Sequence, residues 1–398
     1  MGNQELMDLV DRFSAHNYHP LPIVVAKAEG VWVTDAEGKR YMDMLAAYSA
    51  VNFGHSHAEL VNVAKAQLDR VTLTSRAFHN DQLGPFCQEL AALCKMEAVL
   101  PMNTGAEGVE TAIKTARKWA YKKKGVAPDQ AKIIVCDGNF HGRTTTIISF
   151  STDEQARDGF GPFTPGFEII PYGDAQALEK CIDKNTAAFL VEPIQGEGGI
   201  IIPPDGFLKK AREICAKNNV LFIADEIQSG LGRTGRTFAC EWEGITPDIY
   251  ILGKALGGGI MPMSAVVSSR EIMSVFHPGD HGSTFGGNPL ACAVARKAIE
   301  ILQRGELQAR ALEIGDYISG KLRQSNFPCV ETIRARGLWI GVEIKTSYGR
   351  ARPYCERLMD SGLLCKETHE QVIRLAPPLT ITQEEADWAL DKISKVLG

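Results

Sequence analysis

The sequence predicts an α/β fold in which helices cover both faces of a mainly parallel sheet. From about residue 100 onward, short apolar segments rich in β-branched residues alternate with segments of helical periodicity. The apolar segments are continuous, as is typical of strands that are buried on both faces. We therefore predict strands in KIIVCDG (132–138), AAFLVEP (187–193), VLFIADE (220–226), DIYILGK (248–254) and SAVVSS (264–269).

The segments between these strands carry apolar residues at helical spacing. In one of them, Phe207, Ala211, Ile214 and Cys215 share a single face. A regular succession of strand and helix is the pattern of crossover connections, which supports the parallel sheet.

The two ends of the chain follow a different pattern. The segment 30–44 predicts two strands around a turn at 36–39, and two further strand-like stretches span 330–344 and 363–378. A closing helix begins at the capping box formed by Thr382 and Glu385. We expect a large domain over 51–288, a small α+β domain over 289–398, and an N-terminal segment, 1–50, that joins the small domain.

Composition argues against several classes of function. The 398 residues carry a formal net charge of −5 and no long basic block, which disfavours binding to nucleic acid or to a membrane surface. The ten cysteines are scattered without a C-x-x-C pair, which favours a reducing cytoplasm and no metal site. No apolar run approaches the roughly 18 residues of a membrane span, and the first residues resemble neither a secretory nor a mitochondrial leader. We expect a soluble cytoplasmic protein.

Two charged residues follow predicted strands of the same sheet. Asp225 ends one apolar run and Lys254 ends another. Because ligands bind at the carboxyl ends of strands in open α/β sheets, both side chains are expected to face one crevice. They could form a structural ion pair or remain solvated. Alternatively, Lys254 binds an aldehyde cofactor such as pyridoxal 5'-phosphate (PLP) through its amine, and Asp225 pairs with the protonated ring nitrogen.

A PLP site also requires a phosphate-binding element and a group that stacks on the ring. Thr104 and Glu107 form a capping-box pattern, and Gly105 and Ala106 between them allow an anion to approach the amides at the helix start. Phe140 follows the strand 132–136 and is a candidate for stacking. The segment HGSTFGGNP (281–289) supplies the hydroxyl groups of Ser283 and Thr284.

These motifs occur in an order that resembles the class III (ω-amino) aminotransferases of PLP fold type I. The resemblance covers nearly the whole chain, and its most specific elements are ADEIQSGLGRTG (224–235) and LGKALGGG (252–259). Two positions depart from the common pattern: His141 replaces a second aromatic residue, and Ala106 replaces a valine. The other matching motifs are NTGAEGVETAIK (103–114), NFHGRT (139–144), VEPIQGEGG (191–199) and GSTFGGNP (282–289).

The resemblance implies roles for individual residues. It implies that Lys254 carries the cofactor, that Asp225 binds the ring nitrogen, that Phe140 stacks on the ring and that Gln228 binds the ring hydroxyl. The glycines around Lys254 are then expected to leave room for a flat cofactor. The resemblance further implies that Gly105, Ala106, Ser283 and Thr284 bind phosphate, with Thr284 reaching the neighbouring subunit of a homodimer. Ligands of the substrates would be Tyr18, Tyr48, Arg143, Glu197 and Arg374.

Further segments are similar to the members of this family that act on ornithine. The implied reaction transfers the δ-amino group of L-ornithine to 2-oxoglutarate and forms glutamate 5-semialdehyde and glutamate. Alternatives are an ω-aminotransferase for N-acetylornithine or 4-aminobutyrate, an aminomutase or decarboxylase, and a non-catalytic PLP-binding protein. Tyr18 favours ornithine, because a free α-amino group prefers a hydroxyl partner. The segments are NYHPLP (17–22), YSAVNFGHSHAELV (48–61), TLTSRAF (72–78), LPMNTGAEGVETA (100–112) and RLAPPL (374–379).

Overall fold

The structure, a computed structural model, describes all 398 residues and contains three β-sheets. The strands are β1 Val25–Glu29, β2 Trp32–Asp35, β3 Arg40–Asp43, β4 Ala98–Met102, β5 Lys132–Cys136, β6 Phe167–Ile170, β7 Thr186–Val191, β8 Leu221–Asp225, β9 Ile249–Leu252, β10 Ser264–Ser268, β11 Val330–Ala335, β12 Ile340–Ile344, β13 Leu363–Leu364, β14 Lys366–Thr368 and β15 Val372–Leu375.

The largest sheet has seven strands in the order β4-β10-β9-β8-β7-β5-β6. The pairs from β9 to β6 are parallel, whereas β10 runs antiparallel to both β4 and β9. All five strands predicted for this region are present, and the α/β class with a mainly parallel sheet is confirmed. The sequence pattern did not distinguish the antiparallel β10, because a strand that is buried on both faces has the same composition in either direction.

Helices cover both faces of this sheet. Along β8, Leu221 and Ile223 join one apolar cluster, and Phe222 and Ala224 join the other. The longer helices span Asn3–Phe13, Ala58–Leu68, Leu83–Cys94, Gly105–Trp119, Ala175–Cys181, Phe207–Lys217, Pro289–Gln303, Glu306–Gln324, Arg352–Asp360 and Gln383–Leu397. Short helices span Thr145–Ile148, Glu154–Arg157 and Arg270–Met273. None of the helices combines the length and the apolar character that a membrane span requires.

The two ends of the chain meet in one of the two smaller sheets. The antiparallel strands β1, β2 and β3 continue into β13, which pairs with β3 in parallel register, Leu363 opposite Met42. The remaining sheet has the order β11-β12-β15-β14. The stretch 330–344 is therefore a hairpin, and 363–378 contains three short strands. The turns lie at polar or glycine positions, Arg336 and Gly337 and residues 369–371, which the interpretation of each stretch as a single strand-like segment passed over.

Candidate active site

A cavity of about 150 Å³ opens at the carboxyl ends of the parallel strands. Asp225 reaches it from the end of β8 and Lys254 from the turn after β9, so the topology brings the two charges together. Six of the residues predicted for the cofactor line this one cavity, namely Gly105, Ala106, Phe140, Asp225, Gln228 and Lys254.

Lys254 lies on strained backbone in a buried environment. It opens a short 3₁₀ turn, Lys254–Gly257, with φ of 46°. A left-handed conformation is costly for a residue with a Cβ and persists only where the surroundings impose it, often at functional sites. Burial lowers the pKa of the Lys254 amine, and the carboxylates of Glu197 and Asp225 oppose this shift. A larger share of the amine is therefore neutral and nucleophilic than in a solvated lysine.

One of the glycines after Lys254 is required for packing. Gly258 has φ of 61°, and a Cβ at this position would lie 2.9 Å from a methyl carbon of Val294. None of Gly257, Gly258 and Gly259 lines the cavity. That the glycines around Lys254 leave room for a flat cofactor stays a prediction.

Asp225 is held by a histidine that sequence reasoning did not assign to the site. Nδ1 of His141 donates to Oδ2 of Asp225 at 2.6 Å, and the amide of Ile227 donates to Oδ1 at 3.1 Å. The His141 side chain is fully buried. Although burial acts to lower the pKa of His141, the hydrogen bond and the charge of Asp225 outweigh it and raise that pKa. The signal available in the sequence was the departure at His141 itself.

Glu192 is a second residue of the cavity wall that was not predicted. Its carboxylate accepts hydrogen bonds from the amides of Phe140, at 2.9 Å, and Gly196, at 3.3 Å. It therefore fixes the loop that carries Phe140 relative to the loop that carries Glu197. Burial raises the pKa of Glu192 to about 7, with His141 opposing the shift.

The His141–Asp225 pair predicts an effect on turnover. In His141→Phe, which restores an aromatic residue, Asp225 loses its closest hydrogen bond while the ring volume is kept. We expect the turnover number to fall about tenfold, because a charged hydrogen bond contributes roughly 1.5–3 kcal/mol. Steady-state kinetics and the absorbance spectrum of the bound cofactor provide the measurement. Because His141 is charged below its raised pKa and neutral above it, the turnover of the wild type should decline as the pH rises through that pKa, and the variant should lack this decline. An unchanged turnover number would assign His141 to packing alone.

The start of helix Gly105–Trp119 presents an anion-binding surface to the cavity. Its capping box is complete, with Thr104 and Glu107 binding each other's backbone. The cap engages the amide of Glu107 and leaves the amides of Gly105 and Ala106 free for a ligand. Helix N-termini bind phosphate through such amides and the helix dipole. Together with Asp225, Phe140 and Lys254, they fit a phosphorylated aromatic ring that bears an aldehyde.

Ser283 and Thr284 lie outside this cavity. They line a separate recess together with Arg76, Pro101 and Met102. Oγ of Ser283 accepts a hydrogen bond from Nδ2 of Asn103, at 2.8 Å, and Thr284 is exposed. Within one chain, Ser283 therefore contacts the residue just before the helix start, but neither hydroxyl group lines the cavity.

Beside the cavity, Glu197 and Arg374 form a closed ion pair. The guanidinium donates to both carboxylate oxygens at 2.9 Å and 2.8 Å. The Arg374 side chain is 1% exposed and that of Glu197 is 28% exposed. Burial would raise the pKa of Glu197, but Arg374 outweighs it and lowers that pKa. Gln228 lines the cavity and also contacts the ion pair. Its side-chain amide lies 3.2 Å from Glu197 and 3.4 Å from Arg374.

Tyr48 covers the other face of Arg374 from an unusual turn. Its ring centroid lies 5.2 Å from the guanidinium carbon. The four residues Ala46–Ser49 all have positive φ, at 47°, 46°, 58° and 71°. A left-handed turn of L-residues costs roughly 1–2 kcal/mol per residue. Backbone strain of this size next to the ion pair indicates that the position of Tyr48 matters for the site.

Tyr18 and Arg143 lie at the outer rim. Tyr18 is 71% exposed, and burial, the carboxylate of Glu197 and, to a smaller extent, Tyr18 raise the pKa of Tyr48. Arg143 is exposed and places its guanidinium carbon 5.7 Å from the ring centroid of Phe140. Both residues are positioned near the entrance, without a contact to the ion pair.

Comparison with known proteins gives consistent results. The family model described as Aminotransferase class-III matches residues 13–397. The ornithine aminotransferase of Geobacillus sp. (strain WCH70) is 60% identical over 394 residues, covering 99% of this chain and 98% of the relative. The crystal structure of the ornithine aminotransferase from Toxoplasma gondii ME49 superposes with a TM-score of 0.98 at 44% identity, covering 100% of this chain and 95% of that chain. The acetylornithine aminotransferase from Elizabethkingia anophelis superposes with a TM-score of 0.90 at 45% identity, covering 100% and 99%.

Proposed function

Because the chain belongs to the class-III aminotransferase family, we propose that it transfers the δ-amino group of L-ornithine to 2-oxoglutarate, forming glutamate 5-semialdehyde and glutamate. The closed Glu197–Arg374 pair beside the cavity carries this proposal. Ornithine presents methylenes next to its reacting carbon, and an uncovered guanidinium is a poor neighbour for them. The reaction connects the metabolism of arginine with that of proline, since the semialdehyde can cyclise to pyrroline-5-carboxylate.

The cofactor is PLP, which the residues of the cavity fit. When bound, PLP supplies an electron sink that stabilises the carbanion formed at the reacting carbon of the substrate. Asp225, held by His141, would bind the ring nitrogen and keep it protonated. Phe140 would stack on the ring, Gln228 would bind the ring hydroxyl, and the amides of Gly105 and Ala106 would bind the phosphate.

We assign the transfer of the proton at Cδ of ornithine to Lys254. Its amine would hold the aldehyde of PLP in the resting enzyme and would be free of that bond once the δ-amine of ornithine has taken its place. The neutral amine, favoured by burial, then takes the proton from Cδ of ornithine as a general base. Tyr18 and Arg143 bind the far end of ornithine at the entrance.

A coupled assay tests the proposed reaction. Ornithine and 2-oxoglutarate are supplied together, and the cyclised product is trapped with an aminobenzaldehyde. We expect turnover with ornithine and at least tenfold lower kcat/KM with N-acetylornithine or 4-aminobutyrate. A preference for either of these substrates would assign the chain to another ω-aminotransferase, and no transamination at all would refute the proposal.

The active site is shared between the two subunits of a homodimer. The exposed position of Thr284 outside its own cavity supports this proposal, because its hydroxyl is free to bind the phosphate in a neighbouring subunit. Exposed apolar side chains support it as well, since Phe285 is 54% exposed next to Thr284 and Phe78 is 74% exposed.

Thr284→Ala should weaken cofactor binding and dimerisation together. One hydrogen bond to a dianion contributes roughly 1.5–3 kcal/mol, so the PLP dissociation constant should rise about tenfold or more. Equilibrium dialysis and sedimentation provide the two measurements, and Thr145→Ala, at another exposed threonine, is the control. A fully active monomer would contradict the shared site.

Two further expectations extend this proposal. The chain divides into a large domain, 51–288, and a small domain, 289–398, which the segment 1–50 joins. The pairing of β3 with β13 supports this division. A cytoplasmic location is supported by the ten cysteines, all of which are free thiols.

A further inference from the structure

Arg233 is a cation that is buried without a carboxylate partner. Its side chain is fully excluded from solvent, and its acceptors are all neutral oxygens. Nη1 donates to the carbonyls of Leu338, at 2.8 Å, and Pro377, at 2.6 Å, while Nη2 donates to Oδ1 of Asn52 at 2.6 Å. Burying a charge in this way lowers the stability of the fold. The position of Arg233 therefore indicates a role other than stabilisation.

The three acceptors belong to the three segments that support the substrate end of the site. Asn52 follows the left-handed turn that presents Tyr48. Pro377 lies just beyond the end of β15, the strand that carries Arg374. Leu338 precedes Trp339, whose ring packs so closely on Gly196 that a Cβ there would lie 2.7 Å from it. Gly196 adjoins Glu197, so a single guanidinium contacts the supports of Tyr48, Arg374 and Glu197.

The surrounding backbone makes this arrangement rigid. Nδ2 of Asn52 donates to the carbonyl of Leu231 at 3.1 Å, and its carbonyl accepts from the amide of Leu379 at 2.8 Å. The other end of the left-handed turn is fixed by Asp43, whose Oδ1 accepts from the amides of Leu45 and Ala46 at 2.8 Å and 3.0 Å. Gly337 lies so close to the Arg233 loop that a Cβ would lie 2.5 Å from the carbonyl carbon of Thr234.

We propose that Arg233 is a positioning residue for substrate recognition, which holds the backbone segments that carry Tyr48, Arg374 and Glu197 in place through Asn52, Pro377 and Leu338, while the side chain of Glu197 stays free to move. Arg233 does not line the cofactor cavity, and it acts only through these neighbours. The inference rests on the proposed function, because it assumes that these three residues bind ornithine and 2-oxoglutarate. A lysine cannot replace it, since an ammonium group lacks the planar fork that reaches all three acceptors.

Arg233→Lys is the direct test on the PLP-loaded enzyme. We expect the KM values for ornithine and for 2-oxoglutarate each to rise at least tenfold, while the absorbance spectrum and retention of the cofactor stay as in the wild type. Arg296→Lys is the matched control, because Arg296 also makes a bidentate contact, to Glu89, but lies away from the site. Unchanged KM values, or a loss of cofactor in parallel with the rise in KM, would overturn the positioning role.

A pair of variants at Asn52 decides the question if Arg233→Lys does not fold. Asn52→Ala removes one acceptor of Arg233 on the side of Tyr48, so the KM for ornithine should rise more than that for 2-oxoglutarate. Asn52→Asp keeps an oxygen for Arg233 but loses the hydrogen bond to Leu231, so its KM for ornithine should lie between those of the wild type and Asn52→Ala. An equal rise in the KM for ornithine in Asn52→Ala and Asn52→Asp would overturn the inference. Turnover of ornithine by the wild type tests the proposed function separately, and if the wild type prefers another amino donor, the same comparison is made with that donor.

Discussion

Lys254→Ala should abolish transamination and leave the cofactor bound without a covalent attachment. The variant lacks the amine that we propose both attaches PLP and moves the proton at Cδ of ornithine. General-base catalysis alone contributes about 10²–10⁴ in rate, so we expect a loss of at least about 10³-fold. Asp225, Phe140 and the helix start at Gly105 remain, so the cofactor should still bind. Turnover is measured with the coupled assay, and covalent attachment is measured by borohydride reduction followed by peptide mapping.

Lys124→Ala provides the matched control. Lys124 is another partly buried lysine, and burial lowers its pKa as it does for Lys254. Its amine donates to the carbonyls of Thr186 and Asn219, both at 2.7 Å, far from the proposed chemistry. This variant should lose stability and keep its turnover per folded enzyme. Borohydride should label the Lys254 peptide in the wild type and in Lys124→Ala. Near wild-type turnover by Lys254→Ala, or labelling at another lysine, would contradict the mechanism.

The sequence was sufficient for the features that depend on local pattern. Apolar runs located β5, β7, β8, β9 and β10, because a buried strand requires them over its whole length. The position of Asp225 and Lys254 at strand ends then implied one crevice, since parallel strands end at the same edge of a sheet. The cavity that contains both residues follows from this rule.

Features that depend on contacts between distant segments could not be predicted. His141 reads as a loop residue, and its pairing with Asp225 depends on how two strand ends approach each other. The left-handed turn Ala46–Ser49 contains no glycine that would signal positive φ. Arg233 lies in a recognisable motif, but its acceptors come from three separate parts of the chain. In each case the interaction partner, and not the residue itself, determines the role.

The Glu197–Arg374 pair should allow one site to accept two different substrates. Glutamate and 2-oxoglutarate carry a carboxylate beside the reacting carbon, and ornithine carries methylenes beside Cδ. With the pair closed, Arg374 is neutralised and suits ornithine. Because the pKa of Glu197 is lowered, the pair persists above that pKa and is lost only as the pH falls through it. Opening at neutral pH therefore requires a substrate carboxylate that replaces Glu197. The glycines at 196 and 198 flank the residue that has to move.

Variants of the two residues should separate the half-reactions. Arg374→Ala removes two charged hydrogen bonds, each of which contributes roughly 1.5–3 kcal/mol, so the 2-oxoglutarate half-reaction should slow by about 100-fold or more. The ornithine half-reaction should slow far less. Glu197→Ala exposes Arg374, so the glutamate half-reaction should speed up relative to the ornithine one, and transfer of the α-amino group should appear.

Glu197→Gln keeps the size of the side chain and removes its charge. If charge controls the exchange, the rates of its two half-reactions should change in the same direction as those of Glu197→Ala. Single-turnover rates of each half-reaction, followed by cofactor absorbance, measure these effects. Equal losses in both half-reactions for Arg374→Ala and Glu197→Ala would exclude the exchange and assign the ion pair to stability alone.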